Sequence, residues 1–293
     1  MFNNPWVLAI RPKTLPAALA PVMIGSAMAF GDGVFHLPSA LCCLCAALLL
    51  QIGTNLANDY FDFKKGADVN RSGPTRVTQA GLIKPPMVLA ASLFIFALAV
   101  LCSVYLINRA GNVLLIVAIA SVLSGIFYTA GKKPLGYLGL GELFVFIFFG
   151  PVAVTGTYYA QSFEVNDAVL LAGFAPGFLS CAIIGVNNLR DMDGDRRVGK
   201  KTLAVRFGRS FATSAYLWFI LAASFIPFII NEITEDHRGI IAASSIAFMA
   251  VPLIKTVFTS TDGVLLNKVL AKTGLLLVVY AVIFSGAWIL CSR

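Results

Sequence analysis

Nine long apolar runs separated by short polar loops leave this chain few soluble folds to adopt. Each run is close to the roughly 20 residues that an α-helix needs to cross a bilayer. Only 12% of the 293 residues are charged and 58% are hydrophobic, whereas about a quarter of a soluble domain is charged. The sequence therefore predicts an all-α, polytopic membrane protein that forms one domain over residues 1–293. The runs are 15–30, 37–57, 87–107, 113–130, 140–160, 168–189, 211–230, 240–258 and 269–290.

The basic residues fall almost entirely on one side of this predicted bundle. If the N-terminus lies on that side, all 22 Lys and Arg residues except Arg109, Arg238 and Arg293 belong to it. Basic loops mark the cytoplasmic face of a membrane protein, so we expect a cytoplasmic N-terminus and, in a bacterium, the inner membrane. The net charge of +8 then reflects topology, and we expect a lipid bilayer and no nucleic acid as partner.

An acidic cluster follows the second apolar run on the cytoplasmic side. It contains Asn58, Asp59 and Asp62, with Asn55 before them and Asp68 after them. If the helix continues past the apolar run, Asn55, Asp59 and Asp62 share one of its faces, because they are four and then three residues apart.

A second cluster follows the sixth apolar run on the same side. Asn187, Asp191 and Asp195 are spaced four residues apart and also share one helical face, with Asp193 between them. Because the second and sixth helices carry matching motifs on one side, the chain reads as two parallel repeats, with halves of about 1–135 and 136–293.

Like charges one turn apart destabilise a helix, and their repulsion grows near a low-dielectric membrane. A bound cation would relieve it. Carboxylate and amide oxygens are ligands for Mg²⁺ or Ca²⁺, and Mg²⁺ commonly completes its shell with water and phosphate oxygens. One such cluster is typical of a solvated loop, but two on one side favour a site for metal ions and a diphosphate.

Basic residues around the clusters could contact such a diphosphate. Arg76 follows a Gly-Pro turn within reach of the first cluster, and Lys132 and Lys133 lie in the middle loop. Lys and Arg are both phosphate ligands, although each of these residues is also explained as a topology signal. Glu142 begins an apolar run and is either a helix N-terminal acid or a group that faces the substrate.

Taken together, these residues make the chain resemble the UbiA superfamily of intramembrane aromatic prenyltransferases over nearly its whole length. Within it, the chain is most similar to the branch that prenylates 1,4-dihydroxy-2-naphthoate in menaquinone biosynthesis. The stretches that carry the resemblance are RPKTLPAALAPV (11–22), NDYFDFKKGAD (58–68), GPTRVTQAGLI (73–83), YTAGKKPLGYLGLGE (128–142) and NNLRDMDGDRRVGKKTLAVRFG (187–208). The broad superfamily pattern would place a third acid at position 66, where this chain has Gly66, so the role of Asp68 stays open.

The resemblance implies about nine helices around a central cavity and a reaction that needs Mg²⁺. A polyprenyl diphosphate enters from lipid and transfers its prenyl group to the aromatic acid, with loss of diphosphate and CO₂, giving demethylmenaquinol. The implied catalytic residues are Asp59, Asp62, Asp191, Asp195 and Tyr128. The implied metal ligands are Asn58, Asp59, Asp62, Asp68, Asp191 and Asp195. The implied substrate-binding residues are Asn58, Asn187, Arg76, Lys132 and Lys201, with Arg11 and Lys13 attracting the acceptor's carboxylate.

Other functions remain compatible with parts of this pattern. Another member of the superfamily would use 4-hydroxybenzoate, homogentisate or a lipid glycerol phosphate as acceptor. A cation transporter would use the acidic clusters as ion sites, but it should carry acids along a path through the bilayer. A membrane phosphotransferase would need only one Asp-rich motif.

Overall fold

The computed structural model describes residues 4–67 and 73–291, and within those ranges the chain is helical, with short 3₁₀ turns and no strand. The helices are α1 (Pro5–Ile10), α2 (Pro16–Gly31), α3 (Leu37–Lys64), α4 (Pro85–Ala110), α5 (Asn112–Phe127), α6 (Gly141–Phe149), α7 (Pro151–Ser162), α8 (Asp167–Ala172), α9 (Phe174–Arg197), α10 (Leu203–Thr234), α11 (Ile246–Thr259) and α12 (Gly263–Cys291).

The predicted membrane architecture is confirmed, with an approximate helix count. In the described ranges seven helical segments are long and apolar enough to cross a membrane, and the bent pair α1–α2 adds an eighth when it is counted as one span. The apolar helix α5 is shorter, at 16 residues. Each of the nine predicted runs coincides with one of these elements, so the chain is an all-α, multi-pass membrane protein.

The largest hydrophobic core lies between α2, α9, α10 and α12. Ile24, Leu179, Ile220 and Leu277 each contribute a fully buried side chain to it, one from each helix. Large apolar side chains such as Phe248 are instead exposed on the outer surface. In water such a surface would be an aggregation liability, whereas in a bilayer it faces lipid.

Two interrupted spans meet at a contact between glycine backbones. The span α6–α7 is interrupted at Gly150, whose backbone leaves the helical region, and the span α8–α9 is interrupted at Gly173. A Cβ atom on Gly173 would lie 2.6 Å from the Cα of Pro151, and one on Gly150 would lie 2.6 Å from the Gly173 carbonyl oxygen. The absence of side chains therefore lets the backbones touch, and this contact sets where α9 runs.

The helices α3 and α9 both extend beyond their apolar runs. The helix α3 continues to Lys64 and α9 continues to Arg197, so both acidic clusters lie on the last turns of helices. This arrangement gives each cluster a rigid backbone and a defined set of faces.

The glycine contact predicts a steric penalty for Gly173→Ala. The added methyl would overlap backbone atoms, and overpacking of this kind costs about 1–3 kcal/mol. We expect the variant to unfold at a lower temperature or denaturant concentration in detergent.

The matched control is Gly286→Ala in α12, where an added Cβ meets no atom within 4 Å. An alanine inside a helix is intrinsically favoured over glycine by about 0.5–1 kcal/mol. Equal stability of the two variants would contradict the proposed close crossing.

Candidate active site

A cavity of about 590 Å³ reaches from the ends of α3 and α9 into the apolar interior of the bundle. Its lining is charged near the two acidic clusters, whereas along α5 and α7 it is mostly apolar with a few hydroxyl groups. The charged residues that line it all lie at the polar end: Arg11, Asp62, Arg76, Arg190, Asp191, Asp193, Asp195, Arg197 and Lys200. The two clusters therefore meet at one cavity, as the sequence predicted.

The second cluster faces the cavity as its spacing predicted. Asn187, Asp191 and Asp195 all line it. The Arg190 guanidinium donates through Nε to Asp191 Oδ1 at 2.8 Å and through NH2 to Asp191 Oδ2 at 2.6 Å. Lys200 Nζ lies 3.5 Å from Asp195 Oδ1. Both carboxylates thus lie beside cations from the same chain.

In the first cluster, Asn58 and Asp62 face the cavity. The buried Asp62 carboxylate accepts a hydrogen bond from the Tyr137 hydroxyl at 3.0 Å, and its other oxygen lies 3.9 Å from Arg76 NH2. Asn58 Oδ1 accepts from the Thr129 hydroxyl at 2.8 Å.

Asp59, by contrast, is turned away from the cavity. It is 1% exposed, and its two oxygens accept hydrogen bonds from the backbone amides of Val77 and Thr78 at 3.3 and 3.0 Å. Because α3 continues to Lys64, the three residues lie on successive turns of one helix as expected, but only Asn55 and Asp62 line the cavity. Asp59 instead anchors the loop that follows α3. Asp68 lies outside the described residues.

Tyr137 connects the two clusters. While its hydroxyl bonds Asp62, its ring lies beside two ammonium groups, with Lys65 Nζ 4.4 Å and Lys200 Nζ 5.4 Å from the ring centroid. Lys65 also donates to the Thr129 carbonyl at 2.7 Å. Burial lowers the pKa of Lys65, while nearby Asp62 opposes this effect and nearby Lys200 adds to it.

Tyr128 lines the cavity, and two glycines make room for its ring. A Cβ on Gly136 would lie 3.0 Å from Tyr128 Cε1, and one on Gly141 would lie 2.7 Å from the hydroxyl oxygen. Burial raises the pKa of the phenol, and the carboxylates of Glu142 and Asp62 raise it further. Tyr128 therefore presents a neutral ring to the cavity.

Glu142 is buried behind the cavity wall. Its Oε1 accepts a hydrogen bond from Asn188 Nδ2 at 2.9 Å, and Asn188, unlike Glu142, lines the cavity. Of the two roles that the sequence left open, the structure places Glu142 in the first turn of α6, where it holds an amide that faces the cavity.

Arg11 lines the cavity beside a small polar network. Its NH2 donates to the Asn55 carbonyl at 3.2 Å, and the Asn55 and Gln51 side chains donate to the Thr14 hydroxyl at 3.0 and 3.1 Å. Lys13 has an exposed side chain and is absent from the lining.

The structure separates the basic residues that were predicted to bind diphosphate. Arg76 lines the cavity, whereas Lys132 and Lys201 are exposed and do not. Lys200 takes the cavity position instead. Its backbone N–H donates to the Asp195 carbonyl at 2.9 Å, while that of Lys201 donates to the Tyr137 carbonyl at 2.9 Å, so the two side chains diverge.

Sequence reasoning missed Lys200, Arg190 and Tyr137 as site residues. Lys200 and Lys201 are adjacent and of one type, so their spacing from Asp195 does not tell them apart. Arg190 looked like one topology signal among many, and Tyr137 lies in a loop without periodicity. For Arg190, the sequence did contain a signal: the residue directly precedes Asp191, an acid of the second cluster.

The acids do not form a cage of carboxylates. Across residues 4–67 and 73–291, no group of three or more His, Cys, Asp or Glu side chains is placed to hold a metal ion. Part of the repulsion within each cluster is already offset by the chain itself, because Arg76, Arg190 and Lys200 lie beside the carboxylates.

Comparison with known proteins identifies the family. The UbiA prenyltransferase family model matches residues 18–262. A 1,4-dihydroxy-2-naphthoate octaprenyltransferase of Mycobacterium tuberculosis is 38% identical over 96% of both chains. One from Escherichia coli is 41% identical over 69% of this chain and 68% of its own.

A solved structure has the same fold. The UbiA homologue from Archaeoglobus fulgidus bound to GPP and Mg²⁺ superimposes with a TM-score of 0.68 at 17% identity, covering 98% of this chain and 99% of that one. The family model spans most of the sequence, and the M. tuberculosis relative aligns along almost all of it. This chain belongs to the UbiA prenyltransferase family.

Proposed function

We propose that the protein transfers a polyprenyl group from a polyprenyl diphosphate to 1,4-dihydroxy-2-naphthoate, releasing diphosphate and CO₂ and forming demethylmenaquinol. The observation that carries this proposal is the meeting of both acidic clusters at the polar end of one otherwise apolar cavity. Two mycobacterial relatives that each align along 96% of this chain are named for this acceptor, and we place the reaction at the cytoplasmic face of the membrane.

The donor set around the cavity fits Mg²⁺. Asn58 and Asp62 from α3 and Asn187, Asp191 and Asp195 from α9 present oxygen ligands to one space. Mg²⁺ is usually held by one or two carboxylates together with substrate phosphates, which agrees with the lack of a closed cage among the described acids. When bound, the ion would stabilise negative charge on the leaving diphosphate.

The chain's own cations would hold the diphosphate. Arg76 and Lys200 lie at the polar end of the cavity, one near each cluster. As the allylic C–O bond breaks, negative charge grows on the diphosphate oxygens, and fixed cations aimed at those oxygens lower the barrier. Each cation is already held next to a carboxylate, so little reorganisation is required.

The apolar part of the cavity suits the prenyl tail. Leu106, Leu114 and Phe148 line it, away from the charged end. An isoprenoid chain buried there leaves its allylic carbon near the clusters, beside the neutral ring of Tyr128. The face of an aromatic ring attracts positive charge, so Tyr128 would stabilise the allylic cation while the apolar walls exclude water.

The polar network near α1 suits the aromatic acceptor. Arg11 lines the cavity together with Thr14 and Gln51, and a guanidinium matches the geometry of a carboxylate. Arg11 would therefore orient the acid so that the ring carbon bearing the carboxylate attacks the allylic carbon. Loss of CO₂ from that carbon then restores the aromatic ring.

A cation transporter is the competing function of another class. The charged residues of the cavity lining lie at one end, and its apolar part along α5 and α7 carries none. A cation transporter should carry ionisable groups along a path through the membrane, so a lining without them along α5 and α7 favours the transferase.

The acceptor is tested by incubating the purified protein with farnesyl or octaprenyl diphosphate, Mg²⁺ and one acceptor at a time. We expect a decarboxylated prenyl product with 1,4-dihydroxy-2-naphthoate and none with 4-hydroxybenzoate or homogentisate, and chelation by EDTA should stop the reaction. Product formed only with another acceptor would overturn the proposed acceptor, and cation flux in vesicles without diphosphate release would overturn the transferase.

The Asp62→Ala and Asp191→Ala variants should each lose transfer to background while remaining folded in the membrane. The first substitution removes a cavity carboxylate from the first cluster, and the second removes one from the second cluster. Asp167→Ala is the control, since this exposed acid begins α8 away from the cavity. Product formation, measured by chromatography, at the wild-type rate in either cluster variant would refute the metal assignment.

The adjacent lysines give a matched pair. Lys200→Ala should raise the KM for the polyprenyl diphosphate roughly ten- to hundredfold, because a hydrogen bond to a charged group contributes about 1.5–3 kcal/mol. Lys201→Ala should change it less than threefold, since that side chain is exposed. The opposite order in steady-state kinetics would restore the sequence-based assignment of Lys201.

A further inference from the structure

Arg190 is buried at the second cluster in a position that the proposed reaction does not use. Its side chain is 1% exposed and forms a two-pronged contact with the Asp191 carboxylate. The same guanidinium donates through NH2 to Asn187 Oδ1 at 2.8 Å. A single planar group therefore holds both the amide and the carboxylate that α9 presents to the cavity.

A second helix fixes this guanidinium from the other side. Arg190 NH1 donates to Oδ1 of Asn267, which belongs to α12. Asn267 is half-buried and does not line the cavity. Guanidinium donors lie in one rigid fork, so anchoring NH1 at α12 also fixes the direction of the donors that reach Asp191 and Asn187.

We infer that Arg190 and Asn267 are positioning residues that hold Asn187 and Asp191 in the orientation in which they bind divalent metal. This inference rests on the metal role of the second cluster in the proposed function. The Asp191 carboxylate has about four acceptor positions, which is more than the two that the fork occupies.

The charge balance supports a positioning role. Asp191 and Asp195 repel each other one turn apart on α9, and a carboxylate with a free rotamer would turn away from its neighbour. Arg190 offsets the charge of Asp191 and holds it in place before any ligand arrives. Groups that orient metal ligands in this way typically change metal affinity or activity by about 10- to 100-fold when they are removed.

Asn267→Ala tests the anchor without touching the cavity. Arg190 stays paired with Asp191 in this variant, so the buried charge remains compensated and the protein should fold. We expect Mn²⁺ binding to the purified full-length protein, titrated by electron paramagnetic resonance, to weaken by roughly tenfold. Asn267→Gln, which keeps the amide, should recover part of the loss.

Arg190→Lys separates geometry from charge. Lysine keeps the positive charge but lacks the fork, so we expect at least the same loss of Mn²⁺ affinity as in Asn267→Ala. Lys268→Ala is the control, because this neighbouring side chain on α12 is exposed, and its Mn²⁺ affinity should match wild type. If Arg190→Lys fails to fold, the Asn267 variants decide the question.

The two proposals fail in different ways. Wild-type Mn²⁺ affinity in Asn267→Ala would overturn the positioning role and leave the proposed function intact, as would a loss matched by Lys268→Ala. A wild-type protein that binds Mn²⁺ but makes no prenylated naphthoate would overturn the acceptor assignment and leave the positioning role standing.

Discussion

Three of the carboxylates that line the cavity each lie beside a cation from the same chain, and the site depends on this pairing. Asp62 lies near Arg76, Asp191 is held by Arg190, and Asp195 lies beside Lys200. At the end of a helix bundle in lipid the dielectric is low, so an uncompensated carboxylate is costly and tends to take up a proton instead. Each paired cation offsets the charge of its carboxylate in this setting.

This charge pairing also explains how two clusters from distant parts of the chain form one site. Tyr137 bonds Asp62 from the first cluster while its ring lies beside Lys200, the partner of Asp195 from the second. The loop between α5 and α6 thus connects the two clusters. A diphosphate arriving at this place would meet ligands and cations from both halves.

Much of the fold was predictable because hydrophobicity over 20 residues is a strong signal. Each predicted apolar run coincides with a helix or helix pair, since lipid requires every backbone hydrogen bond to be satisfied within the span. The helix breaks at Gly150 and Gly173 were not predicted. They depend on two backbones approaching closely in space. A glycine inside an apolar run does not show which other segment of the chain will pack against it.

For the site, the sequence alone determined that two acidic clusters end helices on one side of a membrane, because helical pitch and the distribution of basic residues are local properties. Only the tertiary structure decided that Asp62 faces the cavity while Asp59 caps backbone amides, and that Lys200 enters where Lys201 does not. The physical reason is that helical pitch fixes the angles between side chains on one helix. Packing against neighbouring loops and helices then decides which of those side chains point into the cavity.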